Sequence, residues 1–241
     1  MSLLDPLIAK LGSIGHLSES DRNLLAALPI TVRNVGANQP VVHQGDLPKS
    51  SILVISGILS RFQELTDGGR QLVSFHLTGE MPDLHTLYIR KMDHSLVALK
   101  DSVIGHVPHD AIHAAVSASS SLMALLWRAT LIDAAIFRQW MTNNGRRGPA
   151  AGTAHLLCEI ALRSKVAGGL YADGACDMPF NQQQLADALG ISLVHANRTL
   201  KSLKERGIAL IERGRLRVLD WEALQTAAGF DPTYLHLKAD S

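Results

Sequence analysis

Cysteine is nearly absent from this chain: Cys158 and Cys176 are its only two in 241 residues. They are too far apart to form a Cys-x-x-Cys pair, so neither a four-cysteine iron–sulfur cluster nor a cysteine-built structural zinc site is available. Long apolar runs are missing as well. The longest is Leu122–Trp127, well short of the ~20 residues that span a bilayer. The first residues carry Asp5 and Pro6 and lack the basic-then-apolar pattern of an export signal, which reads as cytoplasmic with no membrane partner. Net charge is scarcely present either, at +1.

What is present is globular. A 46% hydrophobic share beside 19% charged residues in 241 residues fits one large or two ordinary domains. Leu3, Leu4, Leu7, Ile8 and Leu11, then Leu17, Leu24, Leu25 and Leu28, are spaced for two short helices, and Ser18-x-x-Asp21 is a cap for the second. From Ile30 to Val107 short β-branched runs alternate with turn residues such as Gly36-Ala37-Asn38, Gly45-Asp46, Asp67-Gly68-Gly69 and Thr78-Gly79. That texture predicts an antiparallel sandwich or barrel. Pro108 opens a helical stretch to Asn144, with Leu122, Leu125, Ala129, Ile132 and Ile136 at the alternating spacing of a coiled-coil seam. The same spacing suits a helix packed on its own barrel, and Trp127 and Phe137 on neighbouring faces suggest both. Asn143–Pro149 reads as a helix-breaking hinge, and Ala150–Ala167 as a further helix ended by Gly168-Gly169. The fold class is therefore α+β: residues 1–116 a β-barrel domain, 117–144 a dimerisation helix, and 145–241 a second, mostly helical domain.

The most informative stretch lies near the C-terminus. Asn181 caps a short helix, Gln182–Leu189, that Gly190 ends, and Ser192 caps a second helix whose Val194, Leu200 and Leu203 call for burial. Asn197, Arg198, Lys201 and Lys204 put polar and basic groups on that second helix. Arginine bonds guanine and asparagine bonds adenine bidentately in the major groove, and lysines neutralise phosphate. Two alternating runs around Arg213-Gly214 then read as a β-hairpin, or wing. From His195 to Arg217 there are seven Lys or Arg against Glu205 and Glu212. Positive charge is thus concentrated in one segment of a nearly neutral chain, as expected where DNA sits. Candidate DNA contacts are Gln183, Ser192, His195, Asn197, Arg198, Lys201, Lys204 and Arg215.

Barrel, long helix, hinge and winged helix-turn-helix, in that order, resemble the family of the cyclic-AMP receptor protein and the fumarate-nitrate reduction regulator. The matching residues are Gln44-Gly45-Asp46, Val54–Leu59, Asp67–Gln71, Gly79-Glu80, Gln183–Gly190 and Asn197–Lys201, so the likeness runs through most of the chain. It implies a homodimeric, non-enzymatic transcription regulator whose partners are double-stranded DNA, a second copy and RNA polymerase. It also implies that Arg198 reads a base, while Leu193 and Val194 replace the polar pair that usually precedes that arginine. Cyclic-nucleotide-binding members place Gly-Glu on the ribose and Arg-Ser on the phosphate. Here Gly79-Glu80 is kept but the second pair is His94-Ser95, so these four residues mark an effector site that is not fitted to cyclic AMP. A neutral imidazole is a poor partner for a buried phosphate, and Arg90 or Lys91 replaces it only if the loop folds inward. No resident cofactor is expected, and the effector is unassigned.

Two other readings compete. In one the barrel is only a dimer scaffold for a constitutive DNA-binding protein. In the other it is a cupin-like metal-binding domain, but that chemistry needs a His-x-His pair, which the sequence lacks. Eight of the eleven histidines lie at or before His113. His106, His109 and His113 have no carboxylate at fitted spacing, and they read as surface or interface histidines rather than metal ligands.

Overall fold

The computed structural model describes residues 2–64 and 70–237; the Asp67-Gly68-Gly69 turn lies outside them. The chain divides into two compact units, Met1–Phe62 with Phe75–Ala135 and Leu235–Ser241, and Gln63–Ser74 with Ile136–Tyr234.

The first unit opens with α1 (Asp5–Ile14) and α2 (Glu19–Ala26). The capping box expected at α2 is formed: Ser18 Oγ accepts from the Asp21 backbone N–H at 3.1 Å, and the Asp21 carboxylate accepts from the Ser18 N–H at 3.3 Å. The strands follow as β1 (Thr31–Val35), β2 (Pro40–Val42), β3 (Ser50–Ser56), β4 (Leu59–Glu64), β5 (Arg70–His76), β6 (Ser95–Ala98) and β7 (Ser102–Pro108), with a 3-10 turn at Leu84–Leu87. They form two sheets of order β1-β7-β3 and β2-β6-β4-β5, a sandwich rather than the closed barrel that the turn spacing also allowed. Val35, Ile52 and Ile104 from one sheet and Val42, Leu59 and Leu96 from the other bury into one apolar core.

The helical stretch after Pro108 is two helices, α3 (His109–Ala118) and α4 (Ser120–Arg146), with a break at Ser119. Asp21 holds that corner, accepting from Ser119 Oγ at 2.5 Å and Ser121 Oγ at 2.9 Å, and these hydroxyls with Ser18 lower its pKa to about 2. α4 corrects the seam. Leu122, Leu125, Ile132 and Ile136 are each at most 6% exposed within the single chain, so they face its own core. The outward stripe is Ala124, Trp127, Leu131, Ala134, Arg138 and Met141, also at alternating spacings of three and four. Two faces of one helix share that period, and only tertiary packing decides which is covered.

In the second unit α4 continues through Asn143 and Gly145 to Arg146, so the break is confined to Arg147-Gly148. Then come α5 (Pro149–Val166), β8 (Cys176–Asp177), α6 (Gln182–Leu189), α7 (Leu193–Glu205), β9 (Ala209–Glu212), β10 (Arg215–Val218), α8 (Trp221–Ala228) and a 3-10 turn at Pro232–Leu235. Buried on both sides, α5 carries Glu159 at zero exposure. Its carboxylate accepts from Arg163 Nη1 at 2.8 Å, Tyr234 OH at 2.9 Å and Trp140 Nε1 at 3.3 Å. Burial raises its pKa against these partners, the Arg163 charge foremost. Cys158 and Cys176 are both buried and unbridged, and desolvation raises the Cys158 thiol to about 12.

Candidate nucleic-acid interface and effector region

The corner between α6 and α7 is built by local chemistry. Asn181 Oδ1 accepts from the Gln184 N–H at 2.8 Å while Gln184 Oε1 accepts from the Asn181 N–H at 2.9 Å, a reciprocal cap on α6. Gly190 ends that helix at φ +61°, in the left-handed region that favours glycine, and Ser192 Oγ then accepts from the His195 N–H at 3.3 Å to start α7.

On α7 the buried face is Ala196, Thr199 and Leu203. Leu203 is covered as expected and Leu200 half-covered, but Val194 is 65% exposed. Val194 lies two residues before Ala196, about 200° round the helix, and so falls on the opposite face. That outward face is Val194, Asn197, Arg198 and Lys201, at i, i+3, i+4 and i+7, all exposed. His195 turns its Nδ1 back to within 3.2 Å of Ser192 Oγ. Lys204 donates to Glu212 Oε1 of the wing at 2.9 Å, and Lys201 lies 3.7 Å from Glu205 Oε1. Gln183 donates to Asp187 at 2.8 Å on the exposed side of α6.

The wing turns through Arg213 (φ +51°) and Gly214 (φ +74°), the two-residue geometry whose twist suits a tight hairpin. Arg215 lies over the Tyr171 ring, 3.7 Å from its centroid, and Arg217 pairs with Asp173. Between α7, the start of α6 and the wing runs an open groove of ≈ 590 Å³, rimmed by Asn181, Asn197, Lys201, Lys204 and Arg213.

The four effector-site candidates lie in the first unit, each with local partners. Gly79 has φ +89°, and a Cβ there would come 2.4 Å from the Pro6 carbonyl oxygen, so α1 lies directly on this turn. Glu80 accepts from Lys10 of α1 at 2.7 Å and faces His76 Nδ1 at 3.5 Å. Ser95 Oγ accepts from the Gln44 N–H at 2.9 Å. His94 is 8% exposed, with Nδ1 2.5 Å from Asp93 Oδ1; burial, then the Arg61 charge, hold its pKa down to about 4, so the ring is neutral near pH 7. Arg90 and Lys91 are exposed rather than folded inward. The cation the sequence reading missed is Arg61, which donates to Asp133 Oδ2 at 2.5 Å and to the Pro82 carbonyl. His106, His109 and His113 part company: the first two meet Ser50 Oγ at 3.3 Å and Thr86 Oγ1 at 3.1 Å, and the His113 ring stands edge-on to Tyr88 with 5.4 Å between centroids.

A sheet sandwich followed by a long helix and a winged helix-turn-helix defines a class of two-part DNA-binding regulators. Comparison with known proteins gives the family. Residues 153–227 match the Crp-like helix-turn-helix domain and residues 32–119 the cyclic nucleotide-binding domain. The chain is 26% identical over 205 residues to the transcriptional activator protein FnrL of Cereibacter sphaeroides, covering 83% of this chain and 81% of that one. It is 27% identical over 204 residues to the nitrogen fixation regulation protein FixK of Rhizobium meliloti, covering 82% and 87%. In fold it is similar to FixK2 from Bradyrhizobium japonicum, with a TM-score of 0.75 at 20% identity over 83% of this chain and 98% of that one. The chain belongs to the Crp/Fnr family of transcription regulators and carries its DNA-binding helix-turn-helix domain.

Proposed function

We propose that the chain acts in the cytoplasm as a homodimeric transcription regulator that lays one α7 from each copy into successive major grooves, about one DNA turn apart. One observation carries this reading: a capped, basic α7 whose exposed stripe is Val194, Asn197, Arg198 and Lys201. Arg198 and Asn197 read base edges, Lys201 neutralises phosphate, and the bare methyls of Val194 fit a thymine methyl where a carboxylate would seek cytosine. Ser192 supports the helix start, Gln183 and His195 flank it, and Arg215 of the wing faces the backbone. Lys204 holds the wing to α7 through Glu212, and its effect on DNA passes through that pair.

The dimer forms along Ala124, Trp127, Leu131, Ala134 and Met141 of α4. Trp127 and Met141 are 60% and 61% exposed, more apolar surface than one helix face leaves to water without a partner. Residues 1–116 form the sensing domain, 117–144 the dimer helix and 145–241 the DNA-binding domain that addresses RNA polymerase at the promoter. Cyclic AMP is not the effector, since Glu80 is held by Lys10 and neutral His94 stands where a phosphate would need a cation.

The test is binding to a site selected from random DNA. Arg198→Ala is expected to cost about 1–3 kcal/mol at that site and relax discrimination at one base pair, while Lys201→Ala weakens all sequences alike. Unchanged binding and discrimination by Arg198→Ala would overturn the assignment.

A further inference from the structure

A second constellation shares only His94 with the effector region described above. His85, in the 3-10 turn, and Asp93-His94, which lead into β6, bring one ring nitrogen each and one carboxylate oxygen within 4.8 Å of one another. No spacing rule finds this set, because a loop separates its halves. His85 Nε2 is 3.9 Å and His94 Nδ1 2.5 Å from Asp93 Oδ1, and the two rings lie 5.3 Å apart between centroids. Ligand atoms about 2.1 Å from a tetrahedral zinc stand about 3.4 Å from each other, so these separations bracket the required value and small rotations close them.

The surroundings agree. His85 Nε2, one of the three ligand atoms, is buried without a hydrogen-bond partner among the described residues, a costly state that ligation relieves. The Asp93 side chain is 77% exposed, which gives an ion a way in and leaves water-filled positions in its coordination sphere. Arg61, the nearby cation, is neutralised by Asp133 at 2.5 Å.

We propose that His85, Asp93 and His94 form a binding site for a divalent first-row transition metal, with zinc, cobalt(II), nickel or iron(II) as the class of ligand. Two imidazoles and one carboxylate suit these borderline ions, whereas calcium and magnesium call for oxygen donors. Of its three residues, His94 stands where the family resemblance expects the phosphate-binding arginine. The site deepens the reading of this domain as a sensor and rests on that reading only for its consequence, not for the binding itself.

Chelator-stripped full-length protein should take up one equivalent of Zn²⁺ per chain by calorimetry, and Co²⁺ should give visible d–d absorption. Asp93→Asn and His94→Gln should each weaken binding by about a hundredfold or more, and His109→Gln with His113→Gln should leave it unchanged. Asp93 is exposed, so its variant keeps the test open if His94→Gln does not fold, and circular dichroism verifies each protein used. Absence of saturable Zn²⁺ uptake, or uptake that survives Asp93→Asn and His94→Gln, overturns the proposal. Operator binding by the same stripped preparation is scored separately, so failure of the DNA-binding reading and failure of the metal site give different results.

Discussion

Leu131 and Ile132 are neighbours on α4 with opposite surroundings, and truncating each to alanine tests the proposed dimer seam against the chain's own core. Full burial of a leucine side chain is worth about 1.5–3 kcal/mol. Leu131 keeps 56% of its surface open in the single chain, so covering it in a dimer contributes about 1–1.5 kcal/mol per copy. A two-fold axis counts it twice, giving about 2–3 kcal/mol and a dimer dissociation constant about 30- to 160-fold higher in Leu131→Ala. Ile132 is 6% exposed and packs inward, so Ile132→Ala is expected to cost about 2–5 kcal/mol of stability, with little change in association of the folded chain. Sedimentation over a concentration series reads the first effect and denaturant unfolding the second. The reasoning is refuted if Ile132→Ala dissociates the dimer while Leu131→Ala leaves it intact, because the seam would then lie on the other face.

Three further outcomes follow from the same geometry. Calorimetry should show no saturable cyclic AMP or cyclic GMP binding below about millimolar, since an unpaired buried phosphate costs several kcal/mol; micromolar binding to the wild type would contradict this. His155 is 1% exposed, its Nδ1 3.2 Å from Asn143, and burial followed by the Arg147 charge lowers its pKa to about 4. A depressed histidine contributes stability that is present above about pH 6.5 and lost as pH falls towards 4, about 3 kcal/mol in all. Urea unfolding should therefore show the wild type losing more stability than His155→Gln between pH 7.5 and 4.5, and parallel losses would refute the assignment. Glu159→Leu should destabilise by about 3–5 kcal/mol, because it removes the carboxylate that pairs with the buried Arg163 guanidinium, and Glu159→Gln by less; a wild-type unfolding midpoint for Glu159→Leu would refute it.

The parts of this protein legible in its sequence are those decided by neighbours in the chain. Ser18 with Asp21, Asn181 with Gln184 and Ser192 with His195 each signal a cap through a contact three residues away, Gly190 signals a stop through its left-handed backbone, and each forms. Where a side chain had to choose between faces, the sequence was silent: Val194 and Ile132 are apolar alike, yet one is exposed and the other buried. α8 is not among the elements read from the sequence, although Asp220, Trp221, Leu224, Ala228 and Gly229 spell a capped amphipathic helix with a left-handed stop. His85 with Asp93-His94, and Arg61 with Asp133, join residues distant in sequence, and only the fold brings them together.

The segment Asn143–Pro149 shows how far composition and geometry differ. Two asparagines, two glycines and a proline read as a flexible hinge, yet these side chains are spent on fixed contacts within the second unit. Asn143 bonds His155 at 3.2 Å and accepts from Arg147 at 2.8 Å, and Asn144 donates to the Ala188 carbonyl of α6 at 3.2 Å. One turn earlier Trp140 donates to Glu159 of α5. Each bond is directional, and a slide of even an ångström would leave buried donors or acceptors unpaired at about 1–3 kcal/mol apiece. The end of α4 is therefore locked to α5 and α6 as a corner rather than joined to them by a swivel.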